Sequence, residues 1–159
     1  MTGFKYLITA LALTIFVPLG GCRMNGGDIG ALYGIWLLTE MEVDGEKYDK
    51  WNANGFETFF DFENDICQVI RTNERYDVES KWSTFKWIKE DTEMQLDFTH
   101  TDNTYPDPGG YLYAAPSWLL LTEPTTYDFT VEWRGSKQMT WRTVNTSGQQ
   151  LTYYFRKEY

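Results

Sequence analysis

Of 159 residues only two are cysteines, Cys22 and Cys67, and one is a histidine, His100. A disulfide-built scaffold needs more sulfur than that. Histidine-centred chemistry, whether a general base or a zinc site, has almost nothing to draw on, so no metal is expected. Basic residues are also scarce: 14 Lys and Arg stand against 23 Asp and Glu, for a net charge of −9. A nucleic-acid binder needs a basic face for phosphate, which excludes nucleic acid as a partner. The same deficit excludes adhesion to anionic lipid through a polybasic patch. No apolar run reaches the roughly 20 residues that cross a bilayer as a helix. The chain has no Gly-x-Ser-x-Gly elbow, no His-Glu-x-x-His pair and no phosphate-binding loop. The expectation is therefore no enzyme, no catalytic residue and no cofactor.

Aromatic residues are abundant instead. Seven Trp, 11 Tyr and 10 Phe make up 18% of the chain, and apolar residues 42%. That content excludes intrinsic disorder, and the length fits one ordinary domain.

Residues 1–21 read as a leader. Lys5 precedes the apolar run Tyr6 to Leu19, which ends in Pro18-Leu19-Gly20-Gly21-Cys22. Small residues ahead of a cut site mark a secretory signal. Leu19-Gly20-Gly21-Cys22 resembles the lipobox of bacterial lipoproteins, and the resemblance implies that Cys22 carries a palmitate-type lipid as the first residue of the mature chain. The partner so implied is a membrane, reached through the N-terminal lipid. Arg23 stands where enteric lipoproteins retained at the inner membrane carry Asp, which implies the outer membrane of the cell envelope. The side of that membrane is left open. Residues 22–30, with Gly26, Gly27 and Gly30, are expected to form a flexible tether. Cys67 is then the only free thiol of the mature chain, expected to be buried and inert.

Residues 31–159 form the domain, and their period is two. Tyr127, Phe129, Val131 and Trp133 alternate with Asp128, Thr130, Glu132 and Arg134; Met94, Leu96 and Phe98 alternate with Gln95, Asp97 and Thr99. Successive side chains of a strand point to opposite faces, so each run has one apolar face. Turn signals separate the runs: Asp44-Gly45, Glu63-Asn64-Asp65, Glu90-Asp91-Thr92, Arg134-Gly135-Ser136 and Thr146-Ser147-Gly148. Asp49–Asn54 is the one stretch with the character of a short helix or turn. The fold class is all-β. About eight strands with short hairpin links favour a small antiparallel up-and-down β-barrel over a Greek-key sandwich, because closure removes exposed edges.

Gly34-Ile35-Trp36 at the start of the first strand matches the Gly-x-Trp signature of lipocalins. The segment from Gly34 to Gly45 and the chain end, Leu151 to Lys157, resemble the lipocalin-like domains of Bacteroidetes lipoproteins. The resemblance implies that a basic residue of the last strand packs over Trp36 and closes the barrel base. Arg156 is the best matching position and Lys157 the other. The Thr-Asp-Tyr element of kernel lipocalins is absent, since Thr126-Tyr127-Asp128 is a scramble of it.

The expected inward set is Phe60, Phe62, Phe85, Trp87, Phe98, Trp133, Trp141, Tyr153 and Phe155. An eight-stranded barrel is just wide enough to be packed solid or to hold one small ligand. The first reading is a lipid-anchored binding protein that holds a small, partly apolar ligand among Phe60, Trp87, Phe98, Trp133, Trp141 and Tyr153. Tyr105 and Tyr111 would sit at the rim, in a long loop from His100 to Pro116 stiffened by Pro106 and Pro108. The second is a structural or interaction protein with a filled barrel. An enzyme acting on envelope glycan or lipid ranks last.

Overall fold

The computed structural model describes residues 27–99, 114–122 and 124–159. The expectations for Cys22, His100, Tyr105 and Tyr111 lie outside the described residues.

Nine strands follow in order: β1 (Gly34–Val43), β2 (Glu46–Lys47), β3 (Glu57–Glu63), β4 (Ile66–Thr72), β5 (Val78–Lys89), β6 (Glu93–Asp97), β7 (Thr126–Trp133), β8 (Gln138–Val144) and β9 (Gln150–Lys157). β2 is a short return of the β1 hairpin, pairing Glu42 with Lys47. Its tight turn, Asp44-Gly45, has positive φ at both residues (53° and 83°), as the two-residue hairpin link requires. The other eight strands form an antiparallel meander, each paired with the next, and β9 pairs back on β1 to close it. The expected up-and-down barrel of about eight strands is the observed fold.

Alternation sets the inside and the outside. On β7, Tyr127, Phe129 and Val131 are buried while Asp128, Thr130 and Glu132 are exposed. On β9, Leu151, Tyr153 and Phe155 are buried. β1 would lose this phase over ten residues, and a bulge restores it. The register with β9 slips between Leu38 and Glu40, so Leu38 and Met41 both reach the interior.

The strands define two ends. At the base lie the start of β1, the β3–β4, β5–β6 and β7–β8 turns, and the end of β9. At the mouth lie the β4–β5 and β8–β9 turns and the long connections after β2 and β6. Three 3₁₀ segments sit at these ends: Gly27–Leu32 at the base, Asp49–Gly55 and Ser117–Leu119 at the mouth. Of the expected tether, residues 22–26 lie outside the described residues, and Gly27 to Gly30 belong to a 3₁₀ turn. Ile29 and Leu32 are buried (4% and 0% exposed), so the folded domain starts ahead of position 31. The glycine count suggested flexibility, but two apolar side chains anchor the turn.

Candidate functional site

The base is sealed by tryptophan. Trp36 is fully buried, and its indole Nε1 donates to the carbonyl of Leu32 at 2.8 Å, which fixes the Gly27–Leu32 turn across the opening. The Trp133 ring meets Trp36 edge-on at 5.8 Å, and the Trp133 Nε1 donates to the Asp91 carbonyl in the β5–β6 turn. The basic residue over Trp36 is Lys157, which corrects the assignment to Arg156. Lys157 Nζ stands 5.1 Å from the Trp36 ring centroid and donates to the Ala31 carbonyl at 2.8 Å. Partial burial lowers the Lys157 pKa. Arg156 points outward and forms an ion pair with Glu158. Adjacent residues of a strand face opposite sides, so only one of the two can reach the Trp36 ring.

A closed eight-stranded meander with a 3₁₀ turn and a cation on a buried Trp at one end decides the architecture. The fold is lipocalin-like. No known protein family and no curated protein matches the sequence. Among solved structures, an uncharacterized protein from Bacteroides eggerthii is similar at 21% identity, covering 79% of this chain and 98% of its own, with a TM-score of 0.49. A lipocalin-like protein from Bacteroides uniformis is similar at 16% identity, covering 80% and 99%, with a TM-score of 0.48. A redesigned β-barrel bound to DFHBI is similar at 13% identity, covering 80% and 95%, with a TM-score of 0.39.

The shaft of this lipocalin-like barrel is filled by rings touching rings. Trp141 is central, with Phe155 at 4.3 Å, Phe60 at 5.1 Å, Phe129 at 5.5 Å and Phe62 at 5.6 Å between centroids. Phe85 bridges Phe62 to Trp87, whose indole Nε1 is buried without a hydrogen-bond partner. Phe98 packs on Tyr127. Tyr153 donates its hydroxyl to the Leu119 carbonyl at 2.8 Å and has its pKa pushed up by burial. Of the expected ligand-contacting residues, Phe60, Phe98, Trp141 and Tyr153 are thus packed among other side chains. Trp87 and Trp133 lie towards the base. Edge-to-face contacts at these distances are favourable, and a packed ring cluster is rigid.

Two open spaces lie on the outer surface. A shallow groove of about 800 Å³ runs over the outer faces of β7, β8 and β9, along Asp128, Thr130, Arg142, Val144 and Thr152. A cleft of about 250 Å³ lies beside Trp82, with Asp61, Glu63 and Gln68. Burial, followed by the neighbouring Glu63 charge, raises the pKa of Asp61.

The mouth differs in chemistry from shaft and base. Thr58, Arg71 and Glu79 are successive cross-strand partners on β3, β4 and β5, and Val69 and Lys81 pair one rung below. All five share the inward face with Phe60, Ser83 and Phe85. The Arg71 guanidinium lies between the rings of Trp118, at 4.4 Å, and Phe56, at 4.7 Å. Its Nε donates to Glu79 Oε2 at 2.7 Å, and its Nη2 forms an ion pair with the same oxygen. Thr58 Oγ1 and Trp118 Nε1 are buried without hydrogen-bond partners. Lys81 is half-buried and has no ion pair among the described residues. Sequence reasoning did not single out this group. The available signal was parity: Arg71 lies two and four residues beyond Val69 and Cys67, and Glu79 and Lys81 lie in phase with Ser83, Phe85 and Trp87.

Proposed function

We propose that this chain is a lipid-anchored binding protein of the bacterial cell envelope, and that it holds a small, partly apolar ligand at the mouth of the barrel. The observation that carries the reading is the mouth cluster. Charged side chains and unpartnered buried hydrogen-bonding groups face inward at one end, above a shaft of packed rings. A binding site combines apolar walls with a few placed polar groups, and Phe56, Trp118, Arg71, Thr58 and Lys81 supply that combination. The mechanism is capture and release, without bond-making. The leader and Leu19-Gly20-Gly21-Cys22 support the anchor, and Arg23 supports an outer-membrane address.

Native mass spectrometry of the protein extracted from its own envelope tests the binding. A co-purifying small molecule is expected, and a clean ligand-free mass across several preparations would overturn it. For the anchor, Cys22→Ser is expected to abolish membrane fractionation, and lipid labelling that survives the substitution would refute it. The second reading, a structural or interaction lipoprotein with no small ligand, is favoured by the ring packing around Trp141.

A further inference from the structure

The rungs Thr58–Arg71–Glu79 and Val69–Lys81 place two cations and one anion on the inward face of a chain whose net charge is −9. Glu79 takes the Nε and Nη2 of Arg71 through a single carboxylate oxygen. Nη1 of Arg71 and the Lys81 ammonium engage no acceptor among the described residues. Nearby, Trp118 Nε1 and Thr58 Oγ1 are buried and unpartnered, and both can donate. Unpaired buried donors are costly, and natural proteins keep few of them without a reason. The mouth is therefore a convergence of donors with surplus positive charge. Phe56 and Trp118 flank it and hold the Arg71 guanidinium in place. Depth is limited, because Phe60 and Trp141 occupy the shaft below at 5.1 Å from one another.

Resting on the mouth-binding reading above, we propose that the ligand class is a short, flat carboxylate, such as an aromatic acid, rather than a long acyl chain. Its carboxylate meets Lys81 and Arg71 Nη1, with Trp118 Nε1 and Thr58 Oγ1 as further donors, and its ring lies against Trp118 or Phe56. A planar guanidinium already sandwiched between rings is pre-organised, so little freedom is lost when the anion arrives. The acidic exterior repels anions in general, which confines anion binding to this end.

The test is isothermal titration calorimetry of the full chain with 2-naphthoate, its neutral isostere 2-naphthamide, and dodecanoate, at neutral pH. Naphthoate is expected to bind about tenfold more tightly than naphthamide, the scale of one charge-assisted hydrogen bond. Lys81→Gln is expected to bring the two within about threefold of each other, while Lys86→Gln, on the exposed outer face of β5, keeps the tenfold preference. Near-ultraviolet circular dichroism checks that each variant keeps its aromatic core. Equal binding of naphthoate and naphthamide overturns the carboxylate assignment and leaves the mouth reading standing. Tighter binding of dodecanoate than of naphthoate overturns the limit on length. Binding of none of the three overturns the inference, and the mouth reading then stands or falls on the native mass.

Discussion

Lys157 and Arg156 are neighbours with the same charge and opposite fates. One sits on the Trp36 ring with its ammonium bonded to the Ala31 carbonyl; the other is paired with Glu158 in solvent. Removing each charge should separate them. Lys157→Met is expected to cost about 0.5–2 kcal/mol in urea unfolding, from the lost cation–π contact and the carbonyl bond. Arg156→Gln is expected to change stability by less than about 0.5 kcal/mol, since exposed pairs contribute little. An equal cost for both would contradict the base geometry. Gly34 is a second residue with a defined demand. Its φ is +107°, and a Cβ built there would collide with the backbone oxygen of Tyr159. Gly34→Ala is expected to lose about 1–3 kcal/mol, read as a lowered urea midpoint at unchanged slope. The Gly-x-Trp resemblance made Gly34 and Trp36 legible from sequence. The choice of Lys157 over Arg156 was legible too, since Lys157 shares the parity of Tyr153 and Phe155, but the resemblance was followed ahead of strand phase.

Among the elements, the strands with clean alternation were the legible ones. β7, Thr126–Trp133, carries its apolar face on one parity throughout, and its turn signals bound it closely. β4 and β5 were legible as strands but not as faces. β4 has Cys67 and Val69 on one parity and Ile66 and Ile70 on the other; β5 has Phe85 and Trp87 opposed to Val78 and Trp82. The expected inward phase of Phe85 and Trp87 extends by parity to Lys81 and Glu79, but apolar residues on both sides and charges at the strand ends masked it, and for β4 the phase of Arg71 came only with the pairing of Val69 and Lys81. That is why the mouth cluster escaped sequence reading. The β3–β4 hairpin offers a pH test. Burial and Glu63 raise the Asp61 pKa above 3.8, so the folded state binds this proton more tightly than the unfolded chain. The ionised carboxylate is therefore disfavoured in the fold, and the penalty is full above the raised folded pKa and absent below about 3.8. Asp61→Asn should stabilise at pH 7, by less than about 1 kcal/mol for a largely solvated group. The gain should fade as pH drops through the carboxylate range. A gain that grows on acidification would refute the sign.

At the scale of the whole molecule, barrel closure was legible because about eight short runs with hairpin links leave few alternatives. The packing of the interior was not legible, since filled and hollow barrels draw on the same aromatic residues. Cys67 reports on that packing. It is fully buried between β3 and β5, and burial pushes its thiol pKa well up. Its cross-strand partner on β5 is Ser83, whose hydroxyl donates to the Cys67 carbonyl. Iodoacetamide at pH 8 is expected to leave the Cys67 peptide unmodified in native buffer and to label it only once denaturant passes the unfolding midpoint, as read by peptide mass spectrometry. Prompt native labelling would mean that the interior opens locally.

The Gly27–Leu32 turn also has a directional consequence. It crosses the base, and β1 climbs from Gly34 to the opposite end, so the polypeptide enters the barrel from beneath. The lipid proposed on Cys22 would therefore attach on the side of the Trp36 plug and leave the Arg71 end pointing away from the membrane. A barrel held by that end would present its opening to the surrounding fluid, like a cup standing on its foot.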